Sequence, residues 1–219
     1  MIMVKNFWVF ALFVLLSLST SIVNAGTAYW TDWQSSDTSG VSGIINLDLE
    51  SVDVTFSGAY SFAQTNGGTN YWSPSAPYES TTVENAPPAS DIIALSQGGS
   101  VTVDFSKPVM NPLIALVSWN GNTVEFGEPI TFLSQGWGYF RRGTPEINTE
   151  GTGFYGNGEV HGVIQLTGVH SSFSFTHTSE HWHGLTVGAI SSVPVPGSLM
   201  LLGSGLIGVF ALRRRSRSI

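Results

Sequence analysis

Ser100-Val101-Thr102-Val103-Asp104-Phe105 alternates polar and apolar residues without a break. Successive side chains of an extended chain point to opposite faces, so Val101, Val103 and Phe105 share one face and Ser100, Thr102 and Asp104 the other. The same period of two recurs in Ser51-Val52-Asp53-Val54-Thr55-Phe56 and in Ser171-Ser172-Phe173-Ser174-Phe175-Thr176. Each reads as a strand with one face toward a core and one toward water. Leu113-Ile114-Ala115-Leu116-Val117 is apolar throughout and reads as a strand buried on both faces. Gly, Asn, Ser and Pro separate such runs, as in Asn66-Gly67-Gly68 and Gly156-Asn157-Gly158, and residues 26–192 hold no window of capped helical periodicity. The expectation is an all-β body, an antiparallel β-sandwich of jelly-roll type.

The two ends follow other rules. Residues 1–25 carry Lys5, the apolar run Phe7 to Leu16 and the small-x-Ala site Val23-Asn24-Ala25. These are the parts of a secretory signal helix that signal peptidase removes after Ala25. At the other end Val193-Pro194-Val195-Pro196-Gly197 precedes a small and apolar stretch, Leu199 to Leu212, which is followed by Arg213, Arg214, Arg215 and Arg217. From Val193 to the first arginine there are 20 residues, enough for one transmembrane helix, and the arginines hold its end in the cytoplasm. The chain therefore divides into a signal peptide (1–25), an exported domain (26–192) and a C-terminal segment (193–219).

That C-terminal order of Val-Pro-x-Pro, Gly-rich apolar helix with Leu201-Leu202-Gly203-Ser204-Gly205-Leu206, and arginine cluster resembles the PEP-CTERM sorting signal of Gram-negative bacteria. Val195 stands where the name-giving motif has Glu. The resemblance implies a protein anchored in the inner membrane until exosortase recognises the proline motif, removes the anchor and passes the body to the cell surface or the medium. Four stretches of the body also resemble a recurrent part of PEP-CTERM exoproteins: Asp104 to Pro112, Phe132 to Tyr139, Gly158 to Leu166 and Glu180 to Gly188. That second resemblance implies a β-rich extracellular module and brings no catalytic residue with it.

Composition narrows the function. The exported domain holds all fifteen acidic residues of the chain against three basic ones, Lys107, Arg141 and Arg142, a net charge of −12. Such a balance argues against nucleic acid, which needs a basic face, and leaves room for divalent cations. Cysteine is absent, which removes disulfides, thiol nucleophiles and thiolate metal sites together. At about 170 residues the domain can be held by its own core.

Two groups of residues carry candidate chemistry. On one strand Trp30 and Trp33 would fall on opposite faces, so that at least one could be exposed, and the proline-rich stretch 64–90 holds Tyr71, Trp72 and Tyr78. A loop of that length is usually functional or disordered, its aromatics favour function, and flat rings beside carboxylates and amides suit sugars, so these five aromatics are the candidate contacts to extracellular matrix polysaccharide. The same rings could instead cap an open end of the sandwich. The second group is histidine: His161, His170, His177, His181 and His183 fall within 23 residues. On a strand His181 and His183 would share a face and, with His161 and Glu180, could hold Zn²⁺ or Ca²⁺. The alternative is histidines that bond strand ends or close a loop over the core.

The favoured function is a non-catalytic surface or biofilm-matrix protein that binds polysaccharide or acts structurally. A metal-dependent hydrolase with Glu159 or Glu180 as base is the alternative. No Gly-x-Ser-x-Gly elbow and no His-Glu-x-x-His helix is present to favour it.

Overall fold

A computed structural model describes residues 26–190. The expected signal helix and transmembrane helix, the motif Val193 to Gly197 and the arginines Arg213, Arg214, Arg215 and Arg217 lie outside the described residues. Among the described residues no helix is long and apolar enough to cross a membrane. In chain order the strands are β1 (Ala28–Trp30), β2 (Asp32–Asp37), β3 (Gly40–Asn46), β4 (Ser51–Ser57), β5 (Phe62–Gln64), β6 (Ile92–Leu95), β7 (Gly99–Met110), β8 (Leu113–Trp119), β9 (Thr123–Glu125), β10 (Ile130–Gln135), β11 (Gly143–Ile147), β12 (Gly153–Gly158), β13 (Val160–Leu166), β14 (Val169–His177) and β15 (His183–Ile190). One 3-10 turn, Ala76–Tyr78, interrupts them.

The strands form two antiparallel sheets packed as a sandwich. One has eight strands in the order β11-β12-β9-β14-β7-β4-β3-β2. The other has the order β10-β13-β8-β15-β6-β5, with β1 added beside β15 as its seventh strand. The three alternating hexapeptides are the adjacent strands β4, β7 and β14 at the centre of the first sheet. Phe56 lies opposite Val103, and Val103 opposite Phe173, so the apolar face is continuous across the ladder. Those side chains meet Ile114, Leu116, Leu185 and Val187 of the second sheet in the main core. Burying such faces is the dominant favourable term in a domain without disulfides.

The second sheet is buried on its outer side as well. Stretch 64–90 lies across that side, and Trp72, Tyr78 and Val83 pack on Leu113, Ala115, Val117 and Val163 in a separate apolar cluster. Every residue of β8 is therefore buried, as its unbroken apolar sequence requires. The stretch covers a sheet face; it does not close an end of the sandwich.

Trp30 and Trp33 do fall on opposite faces, Trp30 in the outer cluster and Trp33 in the main core. They belong to different sheets, because the chain crosses between them at Thr31, whose N–H and hydroxyl both donate to the Val187 carbonyl at 2.8 Å. Neither is left exposed. The indole N–H of Trp33 donates to Thr186 Oγ1 at 3.0 Å and that of Trp30 to the Asn85 carbonyl at 3.1 Å.

Candidate functional site

The structure separates the five proposed sugar-contacting aromatics. Trp30, Trp33, Trp72 and Tyr78 are at most 8% exposed and cannot offer a ring face to a ligand. Trp72 donates to the Asp91 carbonyl at 3.1 Å and stacks edge to face on Tyr78. The reason for the correction is the cover over the outer sheet face, which a local reading of strand parity does not contain. Tyr71 alone stays at the surface, half-buried, and it leads to a larger site.

The connection between β10 and β11 reads Gly136-Trp137-Gly138-Tyr139-Phe140-Arg141-Arg142. Gly138 and Arg141 exchange two backbone hydrogen bonds, of 2.7 and 3.1 Å, so Tyr139 and Phe140 occupy the corners of a tight turn. Arg141 closes it at φ 88°, in the left-handed region that favours glycine. The turn rests on His161: a Cβ at Gly138 would lie 2.3 Å from the His161 Cγ, so only glycine lets the backbone settle on that ring. The Gly136 N–H donates to the His161 carbonyl at 3.3 Å, and the Tyr78 hydroxyl meets His161 Nδ1 at 3.1 Å from below. Burial holds the His161 pKa down at about 4, which keeps this supporting ring neutral at pH 7.

On this support the rings gather. Tyr71 lies 5.2 Å from Tyr139, 6.2 Å from Phe140 in a stacked arrangement and 4.8 Å from Trp182, centroid to centroid. Phe140 lies 5.2 Å from Trp182, and Phe62 extends the group at 6.5 Å from Trp182. These spacings are those of mutually packed aromatics. The outer members remain open to solvent, Tyr139 at 46% and Phe140 at 36%, and Trp137, two residues before Tyr139 in the chain, is 63% exposed. Four chain segments thus contribute to one exposed aromatic rim. Of its members the sequence reading singled out Tyr71; Phe62, Tyr139, Phe140 and Trp182 were missed. The available signal was the loop itself, in which three aromatics and two arginines stand among glycines that suit a turn and not a buried strand.

The histidines divide in the same way. His161 sits on the outer side of its sheet with Tyr78, whereas His183 points between the sheets and lies 4.4 Å from the Trp119 ring. His181 precedes β15 and is exposed. The metal set of His161, His181, His183 and Glu180 is therefore not assembled: β13 and β15 are separated by β8 and send their histidines to opposite faces. Among the described residues no group of three or more His, Cys, Asp or Glu could hold a metal ion. Only His183 and Glu180 come together, with Glu180 Oε2 3.3 Å from His183 Nδ1, and His183 Nε2 continues to His177 Nδ1 at 3.0 Å. Burial pushes Glu180 up to about 7, with the carboxylate of Glu159 adding to the shift. Burial and the neighbouring His177 hold His183 down at about 3. Glu159 itself accepts hydrogen bonds from Ser118 and, at 3.0 Å, from Asn120.

Comparison with known protein families finds the PEP-CTERM protein-sorting motif at residues 192–215. No curated protein and no solved structure matches the chain. The matched segment contains Val193 to Gly197 and Arg213 to Arg215. It marks an exported protein with exosortase as its processing partner. The chain is a PEP-CTERM domain-containing protein, targeted to exosortase by its C-terminal segment.

Proposed function

We propose that the β-sandwich works after export, on the surface or in the extracellular matrix of a Gram-negative bacterium, where it binds polysaccharide through the aromatic rim. The observation that carries this reading is the exposure of Tyr139 beside Phe140, on a turn that rests on the buried His161. Solvent-facing rings that the fold holds in place are available for the C–H faces of sugars, and their ordering cost is already met within the protein. The sorting motif supports export and a cell-surface destination. The reading is of a binding protein; of the two nominated bases, Glu159 accepts from Ser118 and Asn120 and Glu180 faces His183.

The test is cosedimentation of the protein isolated from its host with the insoluble polysaccharide of that host's matrix. Tyr139→Ala with Phe140→Ala is the variant, and unchanged melting temperature is the control for folding. Cosedimentation that depends on the two rings supports the reading, and equal recovery of wild type and variant in the pellet removes it.

A further inference from the structure

The aromatic rim carries the uncommitted positive charge of an acidic protein. Of the three basic residues in the exported domain, Lys107 is paired with Glu50 at 3.0 Å. Arg141 and Arg142 are both exposed, and neither takes part in an ion pair or side-chain hydrogen bond among the described residues. They directly follow Tyr139 and Phe140, and Arg141 is held at a φ that a glycine would occupy with less strain. Glycines are used twice in the same loop, so the arginine keeps a strained position that the local sequence could have relaxed.

Resting on the polysaccharide reading, we infer that the rim selects a carboxylate-bearing polysaccharide, a polyuronate: the rings stack on sugar faces and Arg141 and Arg142 pair with the carboxylates. A guanidinium presents parallel N–H donors in a plane that matches a carboxylate, and such charge-assisted pairs are stronger than neutral ones. The fifteen acidic residues oppose an anionic polymer at long range. Glu159 and Glu180 stand near the rim, beside Gly143 and Trp182, so the preference rests on direct pairing of Arg141 and Arg142 with the polymer's carboxylates and not on the net field, which is screened beyond a Debye length of about 8 Å at physiological salt.

The experiment compares binding of the isolated protein to polygalacturonate, dextran sulfate and neutral dextran at two salt concentrations, with R141Q/R142Q and Y139A/F140A as variants. The expected result is that polygalacturonate binds about tenfold more tightly than dextran, that this advantage disappears in R141Q/R142Q at unchanged melting temperature, and that added salt weakens it. Y139A/F140A is expected to lose binding to both. Equal affinity for polygalacturonate and dextran that the arginine variant leaves unaltered overturns the inference and leaves the polysaccharide reading intact. Preference for dextran sulfate over polygalacturonate overturns the carboxylate assignment, and failure to bind any polymer sinks both.

Discussion

Glu180 Oε2 and His183 Nδ1 face each other at 3.3 Å, and neither atom has a conventional hydrogen-bond partner among the described residues. One proton between them satisfies both atoms, which is why a carboxyl and an imidazole can share a position at the edge of an apolar core. Their pKa values move in opposite directions, so they act oppositely on stability. A glutamate raised to about 7 ionises later in the folded than in the unfolded chain, and stability falls as pH rises from about 4.5 to 7. Replacing it by glutamine, which keeps a polar contact to the imidazole, removes that loss. Glu180→Gln is expected to match wild type near pH 4 and to melt higher near pH 8, by about 2 kcal/mol or about 4–8 °C. Thermal melts at the two pH values check it; a variant that melts lower at pH 8 contradicts the buried-carboxyl account.

The lowered histidines predict acid sensitivity. His161, His177 and His183 all take up protons in the unfolded chain before the folded one does. Stability is therefore fully present above about pH 6.5 and is lost as pH falls toward 4. Glu180 and Asp91, whose pKa values are raised, oppose this trend over part of the range. Urea midpoints from pH 7 to 4 should fall, and His183→Phe should flatten the slope. A slope that is unaffected by the substitution contradicts the assignment.

Gly138 and His161 should be energetically coupled. Gly138→Ala drives a methyl into the imidazole and is expected to cost about 1–3 kcal/mol. His161→Ala opens a void and leaves the Tyr78 hydroxyl without its partner, at about 2–3 kcal/mol. In the double variant the new methyl occupies space the ring has left, so the combined cost should be below the sum by about 1 kcal/mol. Additive costs in denaturant unfolding would mean the two residues do not touch as described.

Two tryptophans that local sequence cannot rank should behave oppositely. Trp72→Ala is expected to destabilise by about 3–5 kcal/mol, because the ring fills the cluster beneath the proline-rich stretch. Trp137→Ala should stay within about 0.5 kcal/mol and should remove the fluorescence component most accessible to a soluble quencher.

Processing gives the last prediction. Intact mass of the released protein should show a chain that begins at Gly26 and lacks Arg213, Arg214, Arg215 and Arg217. Pro194→Ala with Pro196→Ala should leave the full C-terminal segment in the membrane fraction, and normal release of that variant would exclude the proline motif as the recognition element.

Strand parity was legible because it is local. Ser51 to Phe56, Ser100 to Phe105 and Ser171 to Thr176 became three neighbouring strands with their apolar residues on one side. The unbroken run from Leu113 likewise announced a strand covered twice. What sequence does not carry is the identity of the cover. Trp30 and Tyr78 are withdrawn from solvent by contacts across 55 and 83 residues. His181 and His183 were paired by assuming a strand under both, yet β15 begins at His183.

One strand joins the two ends of the molecule's business. β15 starts at His183, directly after Trp182 of the aromatic rim, and runs to Ile190, just before the segment that carries the sorting motif. It is hydrogen-bonded along one side to β8 and along the other to β6 and then β1. While the C-terminal segment is still tethered, a pull between a polymer held at the rim and the membrane would load these bonds lengthwise and together, over about 26 Å of extended chain. The sandwich thereby has the build of a strap, with the aromatic rim at one end of a strand and the sorting motif just past the other.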